Sequence, residues 1–427
     1  MDNLTHLLAG LVTAEVATRI RARHAEPSRH WVQAAWFVSG LANNLPDLDF
    51  VYVGISGGKL GYLLHHRGHT HTLLIGVPLG ALALGLSALW HRRRRLGFER
   101  ADWGWLAALA LFGPALHMFM DFSNVYGVHP LWPFDNRWFY GDRVFIVEPL
   151  FWAAAVPALF WATSARAGRT ALALWSTLTV VLPFVTRMVP LALCLAITVW
   201  VVGGLVLLSR ASPLRRVAAA VLGSLMVLGA FALGKPAAEA RVRSALGAAY
   251  PGETLHDVIL SSNPANPACW QFVSVHTGLG GGYRVIRGRA SLAPSLIGAD
   301  GCAMPSGMPT APMQPCATAG SNGVGFDREF LSTVGELQAL AAQSCEVAAY
   351  LRFARAPFWV DRPGIGLTLG DVRFDREPGL GFAEIVAERA PRTCPRFVPP
   401  WQPPRADVLG LRAPAADQRS SVVTTAK

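Results

Sequence analysis

Long apolar stretches fill the first half of the chain and alternate with short polar loops. Eight apolar segments can be read, at 4–18, 31–45, 72–90, 103–120, 149–165, 170–186, 188–208 and 216–234. A helix needs about 20 mainly apolar residues to cross a bilayer, with a range near 17–25. Segments 72–90, 188–208 and 216–234 reach this length easily, and 103–120 and 149–165 are adequate. The pattern predicts a mainly α fold, a polytopic membrane helix bundle of about eight apolar segments.

Three of the eight segments are less typical of membrane spans. The first two are short and carry polar ends, so they could be buried helices that cross the bilayer only in part. Segment 170–186 is also short and contains Pro183. It could form a tight re-entrant pair with its neighbour.

The pattern changes after Lys235, where charged residues, prolines and glycines become more frequent. Runs such as 270–275, 349–353 and 367–374 alternate apolar and polar residues, which is typical of half-buried strands. We therefore divide the chain into a membrane-embedded helical domain at 1–235 and a small β-rich domain at 236–404. The Ala-, Ser- and Thr-rich tail at 405–427 is predicted to be disordered.

Charge supports the membrane interpretation and gives it an orientation. Charged residues make up 15% of the chain, against about 25% in a typical soluble domain. The net charge of +11 comes from short basic blocks between apolar runs, such as Arg92 to Arg95, so no nucleic-acid partner is expected. Arginine concentrates in alternate loops, which marks those loops as cytoplasmic. Eight crossings then place the N-terminus and everything after Lys235 outside, so the β-rich domain is predicted to be extracytoplasmic.

The cysteines agree with that placement. Five of the six fall in the β-rich domain, and none has the C-x-x-C spacing of a zinc or redox site. In an oxidising compartment they could form two disulfides and leave one thiol, and the alternative is a set of unpaired buried thiols. External placement favours the disulfides. Cys194 lies inside an apolar segment and is interpreted as core packing.

Four polar clusters lie at ends of the apolar segments. In an up-and-down bundle, the start of an odd segment and the end of the next even segment lie on the same face, here the external one. Histidine and carboxylate side chains at bilayer depth are costly unless they pair or bind ions. We therefore predict a site for a divalent metal, with zinc expected, manganese or iron as alternatives, and one or two ions. The candidate metal ligands are His6, Asp47, Asp49, His66, His71, His117 and Asp121.

Each cluster also has a reading without a metal. A single histidine at a helix end is commonly hydrogen-bonded, and Asp-x-Asp after Pro46 is a common helix-terminating turn, here expected to be extended. The aromatic loop 122–147 is interpreted as an interfacial belt, with a substrate lid as the alternative. Asp142 and Glu148 are kept as further ligands or a general base. His65 and His69 are expected to orient ligands or face the substrate.

Short motifs around the candidate ligands form a recognisable set, namely Thr5-His6, Leu45-Pro46-Asp47-Leu48-Asp49, His66-Arg67-Gly68-His69-Thr70-His71, His117-x-x-x-Asp121, Tyr126-Gly127, Trp132-Pro133-Phe134 and Phe145 to Leu150. Together they resemble a bacterial family of inner-membrane metal-dependent hydrolases, also described as LexA-binding and inner-membrane-associated. The resemblance covers roughly residues 1–160 and is weaker near 263–270 and 372–374. It implies a membrane-embedded, multi-pass, metal-dependent hydrolase of the bacterial inner membrane, and the seven candidate ligands match the family pattern. Glu148 stands where that family is expected to have an acidic residue.

Three functions follow as hypotheses. In the first, a metal hydrolase acts at the outer membrane face on a small-molecule, phosphoester or lipid-derived substrate, and Asp49 or Asp121 accepts the proton. In the second, the histidines and carboxylates belong to a metal or proton transporter. In the third, a metal only joins short helices in a structural or regulatory membrane protein, whose β-rich domain binds a partner. Beyond the surrounding membrane lipids, the sequence names no partner.

Overall fold

The computed structural model describes residues 1–304, 312–318, 320–375, 381–391 and 393–411, without the side chains of 52–54. Each of the eight apolar segments contains a helix in the described chain. These helices are α1 (Asn3–Arg21), α2 (Arg29–Ala42), α4 (Leu73–Arg93), α5 (Arg100–Phe122), α6 (Pro149–Ala162), α7 (Arg166–Thr186), α8 (Leu191–Ser209) and α9 (Pro213–Ala249). A short helix, α3 (Gly58–His65), precedes the histidine-rich stretch.

Among the described residues, the helices long and apolar enough to cross a membrane are α4, α5, α7, α8 and α9. The predicted re-entrant pair is wrong, because α7 runs through Pro183 as one continuous helix of 21 residues. A proline inside an apolar helix is tolerated where neighbouring groups satisfy the backbone that it frees. The membrane helix bundle itself is confirmed in these five helices.

Helix α6 has only 14 residues, yet it reaches both ends of the bundle. At its start, Glu148 accepts hydrogen bonds from the backbone of Ala265, which lies beyond the end of α9. At its end, the Trp161 carbonyl accepts from the Arg216 side chain at the start of α9, at 2.8 Å. Helix α6 therefore runs antiparallel to α9.

Close packing of α1 on α2 brings the polar end of α1 towards the site. A Cβ atom on Gly10 would lie 2.7 Å from the Ser39 carbonyl oxygen, so the two backbones meet where glycine is required. The Ser39 hydroxyl donates to the Gly10 carbonyl at 2.8 Å. One turn away, the Asn43 amide donates to the His6 carbonyl. The end of α2 is thereby held against the start of α1.

The segment after α2 differs from the extended turn that the sequence predicts. Residues Leu45–Gly54 form a 3₁₀ helix, and His69–His71 form a second, single-turn 3₁₀ helix. Pro46 is compatible with the first turn of a helix, where its missing N–H group is not needed. Asp47 and Asp49 are two residues apart on this helix, so their carboxylates point in different directions.

The C-terminal part is β-rich, as predicted, with two antiparallel sheets in the described residues. The first sheet has the order β1-β2-β3-β5-β4, and the second has the order β6-β7-β8. Helix α9 continues beyond Lys235 to Ala249, so the compositional change and the end of the helix do not coincide. The strands are β1 (Thr254–Asn263), β2 (Asn266–Thr277), β3 (Gly282–Ser291), β4 (Gln314–Pro315), β5 (Val324–Thr333), β6 (Pro357–Arg362), β7 (Gly366–Asp371) and β8 (Ile385–Ala387), with α10 (Val334–Gln343) and α11 (Cys345–Tyr350) between β5 and β6.

Two disulfides join parts of this region, Cys269–Cys302 and Cys345–Cys394. The expected pairing of four cysteines with one thiol left over is confirmed, and Cys316 is that thiol. Cys194 is buried in the helical bundle, as the core-packing interpretation requires.

The end of the described chain packs on the protein. Residues 405–411 form a turn in which Arg405, Ala406 and Val408 are buried. This part differs from the disorder predicted for 405–427, because its side chains find apolar neighbours in the β-rich region. Residues 412–427 lie outside the described part of the chain.

Candidate metal centre

Four side chains from distant parts of the chain converge at one end of the bundle. His71 Nε2 lies 3.0 Å from His117 Nε2 and 3.0 Å from Asp121 Oδ2. His117 Nε2 lies 3.3 Å from the same Asp121 oxygen. Asp47 Oδ1 lies 3.4 Å from His71 Nε2 and 3.5 Å from His117 Nε2. We call these four residues the four-ligand cluster, and it is almost completely buried.

Hydrogen bonds on the far side of each ring fix which nitrogen faces the cluster. His117 Nδ1 lies 2.8 Å from the Asn43 carbonyl oxygen, which can only accept, so Nδ1 carries the proton. His71 Nδ1 lies 3.1 Å from the Thr70 hydroxyl and 3.4 Å from an Asp49 carboxylate oxygen. The Nε2 atoms of both rings therefore direct lone pairs into the cluster. Ligating histidines are commonly oriented by such second hydrogen bonds.

The spacing of the four donor atoms fits a tetrahedral divalent metal. Zinc binds nitrogen and oxygen ligands at about 2.0–2.1 Å, which places neighbouring ligand atoms about 3.3–3.4 Å apart. The five distances between donor atoms given above run from 3.0 to 3.5 Å. When both Nε2 atoms are unprotonated, the two imidazoles and the two carboxylates are all acceptors, and none can donate a hydrogen bond to another. A cation at their centre satisfies all four.

The electrostatics at His71 favour positive charge. Burial alone would lower the pKa of His71, but hydrogen bonds with Asp121 and Asp47 raise it to about 9. The same two carboxylates that attract a proton at this position would attract a metal ion.

A second group, Asp47, Asp49 and His66, lies beside the first and shares Asp47 with it. His66 Nδ1 is 3.0 Å from Asp49 Oδ1, and His66 is partly exposed. The other Asp49 oxygen accepts from the backbone N–H of Arg67 at 2.8 Å. The group could hold a second ion, or Asp49 could orient His66 as a base.

His6 lies against the cluster. Its ring stacks on the His117 ring with centroids 3.7 Å apart, and its Nε2 lies 3.2 Å from Asp121 Oδ1. The structure therefore places His6 on the carboxylate oxygen that faces away from His71 and His117. From there it orients Asp121.

The other four predicted site residues belong neither to the four-ligand cluster nor to the group beside it, and all four contact the β-rich region. His65 Nε2 lies 2.7 Å from the Phe397 carbonyl, and the His69 ring packs on Trp401. Asp142 forms an ion pair with Arg355 at 2.8 Å. Glu148 accepts from the Ala265 backbone. Their carboxylates and rings join the two halves of the molecule. A sequence pattern cannot distinguish this structural role from metal binding.

The aromatic loop also differs from an interfacial belt. Trp138 is buried, and its indole N–H donates to the Arg352 carbonyl at 2.7 Å. Trp132 packs edge-on against the His69 ring. Trp138 therefore packs inside the protein, and the half-buried Trp132 packs against its surface.

Sequence reasoning missed Arg67, which is buried beside the cluster. Its guanidinium lies 2.9 Å from Asp121 Oδ1 and donates to the Asn124 side-chain oxygen at 2.7 Å. The amino group of Met1 contacts the same Asp121 oxygen. The available signal was the position of Arg67 inside the histidine-rich motif.

The part of the chain that contains this site is similar to a known protein family. Residues 1–189 match the family described as YdjM inner membrane protein, and this range includes the whole cluster. The chain is 26% identical over 177 residues to "Uncharacterized protein YfhP" of Bacillus subtilis (strain 168). That alignment covers 41% of this chain and 50% of the relative, so the chain spans about half the length of the relative it matches. No solved structure matches the chain.

The family match and the five apolar helices identify a multi-pass protein of the inner membrane. The family description names a membrane protein and no activity, so the hydrolase named by the resemblance stays a proposal. The identity of any metal is likewise a proposal.

Proposed function

We propose that the protein is a membrane-bound, metal-dependent hydrolase whose site lies at the outer face of the inner membrane. The observation that carries the proposal is the convergence of two imidazoles and two carboxylates, in which each Nε2 atom lies within 3.5 Å of the other and of both carboxylates. Zinc suits this mixed nitrogen and oxygen set, with manganese or iron as alternatives. A metal held there would polarise a scissile bond and make water a stronger nucleophile at neutral pH.

The residues in and around the cluster have different roles in the proposed reaction. Asp121 is engaged on both oxygens, by His71 and His117 on one and by Arg67 on the other, so it serves as a ligand. Asp49 lies outside the four-ligand cluster and holds His66 through Nδ1. His66 Nε2 is then the proton acceptor, and Asp49 positions it and stabilises its charged form. This revises the earlier hypothesis that a carboxylate takes the proton.

One observation favours a second candidate, a metal that only joins the helix ends. Four protein ligands in a buried site are typical of structural zinc, whereas catalytic zinc keeps an open position. The partly exposed His66, which the buried Asp49 holds beside the cluster, supports the hydrolase. The two functions make different predictions for His66.

Metal analysis of the purified full chain, followed by an esterase and phosphodiesterase panel, tests the proposal. Wild type should retain at least one divalent ion per chain, and His117→Ala should lose it because one of four ligands is gone. His66→Gln should keep an ion in the four-ligand cluster and lose about 10²-fold or more in turnover, as expected for a missing general base. His24→Ala, which removes an exposed histidine, is the matched control.

Metal-free wild-type protein would contradict both candidates. Retained metal, stability that falls on chelation, and no turnover on any substrate would favour the structural metal. Turnover by His66→Gln equal to that of wild type would reject His66 as the base.

A further inference from the structure

A cavity of about 270 Å³ lies beside the metal cluster, between the helical and β-rich parts. His66, Arg67 and Asn124 form its polar side. Phe374 and Phe382, both from the β-rich part, contribute to its apolar side. The cavity is therefore formed by both halves of the chain and includes the proposed base.

Two buried donors on the polar side find no acceptor in the part of the chain that the structure describes. Among those residues, Arg67 Nε and Asn124 Nδ2 have no hydrogen-bond partner, although Arg67 is 2% exposed and Asn124 is 3% exposed. A buried N–H group without an acceptor is costly and calls for an explanation. An anion that enters the cavity would supply the missing acceptors.

The remaining polar atoms of these side chains hold them in place. Arg67 donates to the Asn124 side-chain oxygen at 2.7 Å, and the Tyr126 backbone N–H donates to the same oxygen at 2.9 Å. Arg67 also contacts Asp121. Because these contacts fix both side chains, the unpaired donors are preorganised and lose little side-chain entropy when an anion binds.

We propose that Arg67 and Asn124 bind the oxygens of a phosphate ester, whose apolar group packs against Phe374 and Phe382. A tetrahedral phosphate presents separate oxygens to a guanidinium and to an amide, and arginine is suited to phosphate recognition. The inference rests on the proposed hydrolase function and names its substrate class. It also gives the β-rich part a role, because this part supplies the wall that contacts the apolar group.

Calorimetric titration of the full chain in dodecyl maltoside micelles tests the site, with inorganic phosphate and phenyl phosphate as probes. Asn124→Asp is nearly isosteric and keeps the oxygen that accepts from Arg67 and Tyr126, but it replaces the free donor with a carboxylate. It should weaken binding of both probes at least about tenfold, since a charge-assisted hydrogen bond is lost. Asn322→Asp makes the same change on an exposed residue and should bind as wild type does.

Phe382→Ala tests the apolar wall. It should weaken the binding of phenyl phosphate by about three- to tenfold and leave the binding of inorganic phosphate unchanged, because only the phenyl group of the ester contacts the Phe382 ring. Phe134→Ala, at a residue that is 93% exposed, is the control. If Asn124→Asp does not fold, Arg67→Lys replaces it as the test. This variant keeps the positive charge but removes the Nε donor, and it should also weaken phosphate binding.

Unchanged phosphate affinity in a folded Asn124→Asp or Arg67→Lys variant would overturn the inference. If metal and turnover are present in that case, the proposed hydrolase survives without this substrate site. Conversely, the purified protein could retain no metal and still bind phosphate in a way that depends on Asn124. That result would support the phosphate site and reject the metal-dependent hydrolase. Displacement of phenyl phosphate by phosphatidic acid in mixed micelles would assign the ester to a lipid, and no displacement would assign it to a water-soluble molecule.

Discussion

At the scale of single residues, buried charges near the site are balanced in different ways. Asp121 is fully buried, and its two oxygens face His71 and His117 on one side and Arg67 and His6 on the other. Several partners therefore share the desolvation of one carboxylate. Glu148 is also fully buried, but it accepts hydrogen bonds from the backbone N–H groups of Leu150 and Ala265. Burial raises the pKa of Glu148 from 4.5 to about 8.

Glu148 should make the stability of the protein depend on pH. The folded protein keeps this proton between about pH 4.5 and 8, where the unfolded chain has released it, so stability from this group falls as pH rises through that window. Glu148→Gln removes the titration and keeps an acceptor for Ala265. We expect its thermal midpoint to equal that of wild type near pH 4.5 and to exceed it at pH 8.5.

The difference is at most about 5 kcal/mol, since one pKa unit corresponds to about 1.4 kcal/mol. Thermal unfolding of both proteins in micelles across this range measures it. Glu26→Gln, at an exposed position, should show no such difference. A constant gap between Glu148→Gln and wild type at all pH values would show that Glu148 does not titrate in this way.

At the scale of elements, the reversal of the chain at Arg67 directs the side chains of the histidine-rich stretch to two different places. Helix α3 ends at His65, Arg67 has a φ of 58°, and the next 3₁₀ turn begins at His69. A positive φ at a non-glycine residue reverses the chain locally. His66 and His71 consequently face the carboxylates, whereas His65 and His69 face Phe397 and Trp401 of the β-rich region.

A buried arginine, Arg355, connects the loop after α5 with the β-rich region. Arg355 donates to Asp142 and to Asp257, each at 2.8 Å, and both the arginine and Asp142 are buried. Arg355→Ala should destabilise the protein by about 3–5 kcal/mol, because it leaves a buried carboxylate without its partner. Denaturant unfolding of the full chain in micelles, followed by tryptophan fluorescence, measures this loss.

The exposed pair of Arg389 with Asp361 in the same region provides the control. Arg389→Ala should change stability by no more than about 1 kcal/mol, as is usual for surface ion pairs. Equal effects of the two substitutions would mean that the Arg355 contacts do not hold the two halves together.

At the scale of the whole molecule, the contacts agree with the orientation that the arginine loops predict. Arg21 at the end of α1 pairs with Asp102 at the start of α5, while His6 at the start of α1 meets Asp121 at the end of α5. The cluster and the arginine-rich loops are therefore at opposite ends of the bundle. Two disulfides in the β-rich region are consistent with an oxidising compartment outside the cytoplasm.

Reporter fusions test the orientation. Alkaline phosphatase, which is active only outside the cytoplasm, should be active when fused after residue 411 and inactive when fused after Arg94 or Ser209. A fusion after Thr163 should also be inactive, because α6 runs the length of the bundle despite a helical length of about 21 Å. Activity after Thr163 would mean that α6 does not cross, and activity after Arg94 would reverse the whole topology.

The sequence by itself determined the membrane bundle, the β-rich second half and the set of polar residues at the helix ends. Apolar segments and alternating strands are local patterns with fixed periods, so the chain carries them wherever it folds. The family-like motifs also picked out Asp47, His71, His117 and Asp121 among the candidates. The same reasoning included Asp142 and Glu148, because a buried carboxylate held by an ion pair or by backbone N–H groups looks like a metal ligand in a sequence.

Only the tertiary structure decided which candidates meet. The four-ligand cluster joins residues up to 74 positions apart, and its geometry depends on the close approach of α1 to α2 and the reversal at Arg67. The two unpaired donors beside it lie 57 positions apart, and the phenylalanine wall of the β-rich half lies more than 200 residues beyond them. Such contacts are decided by packing and burial, which act between elements and leave no period in the sequence.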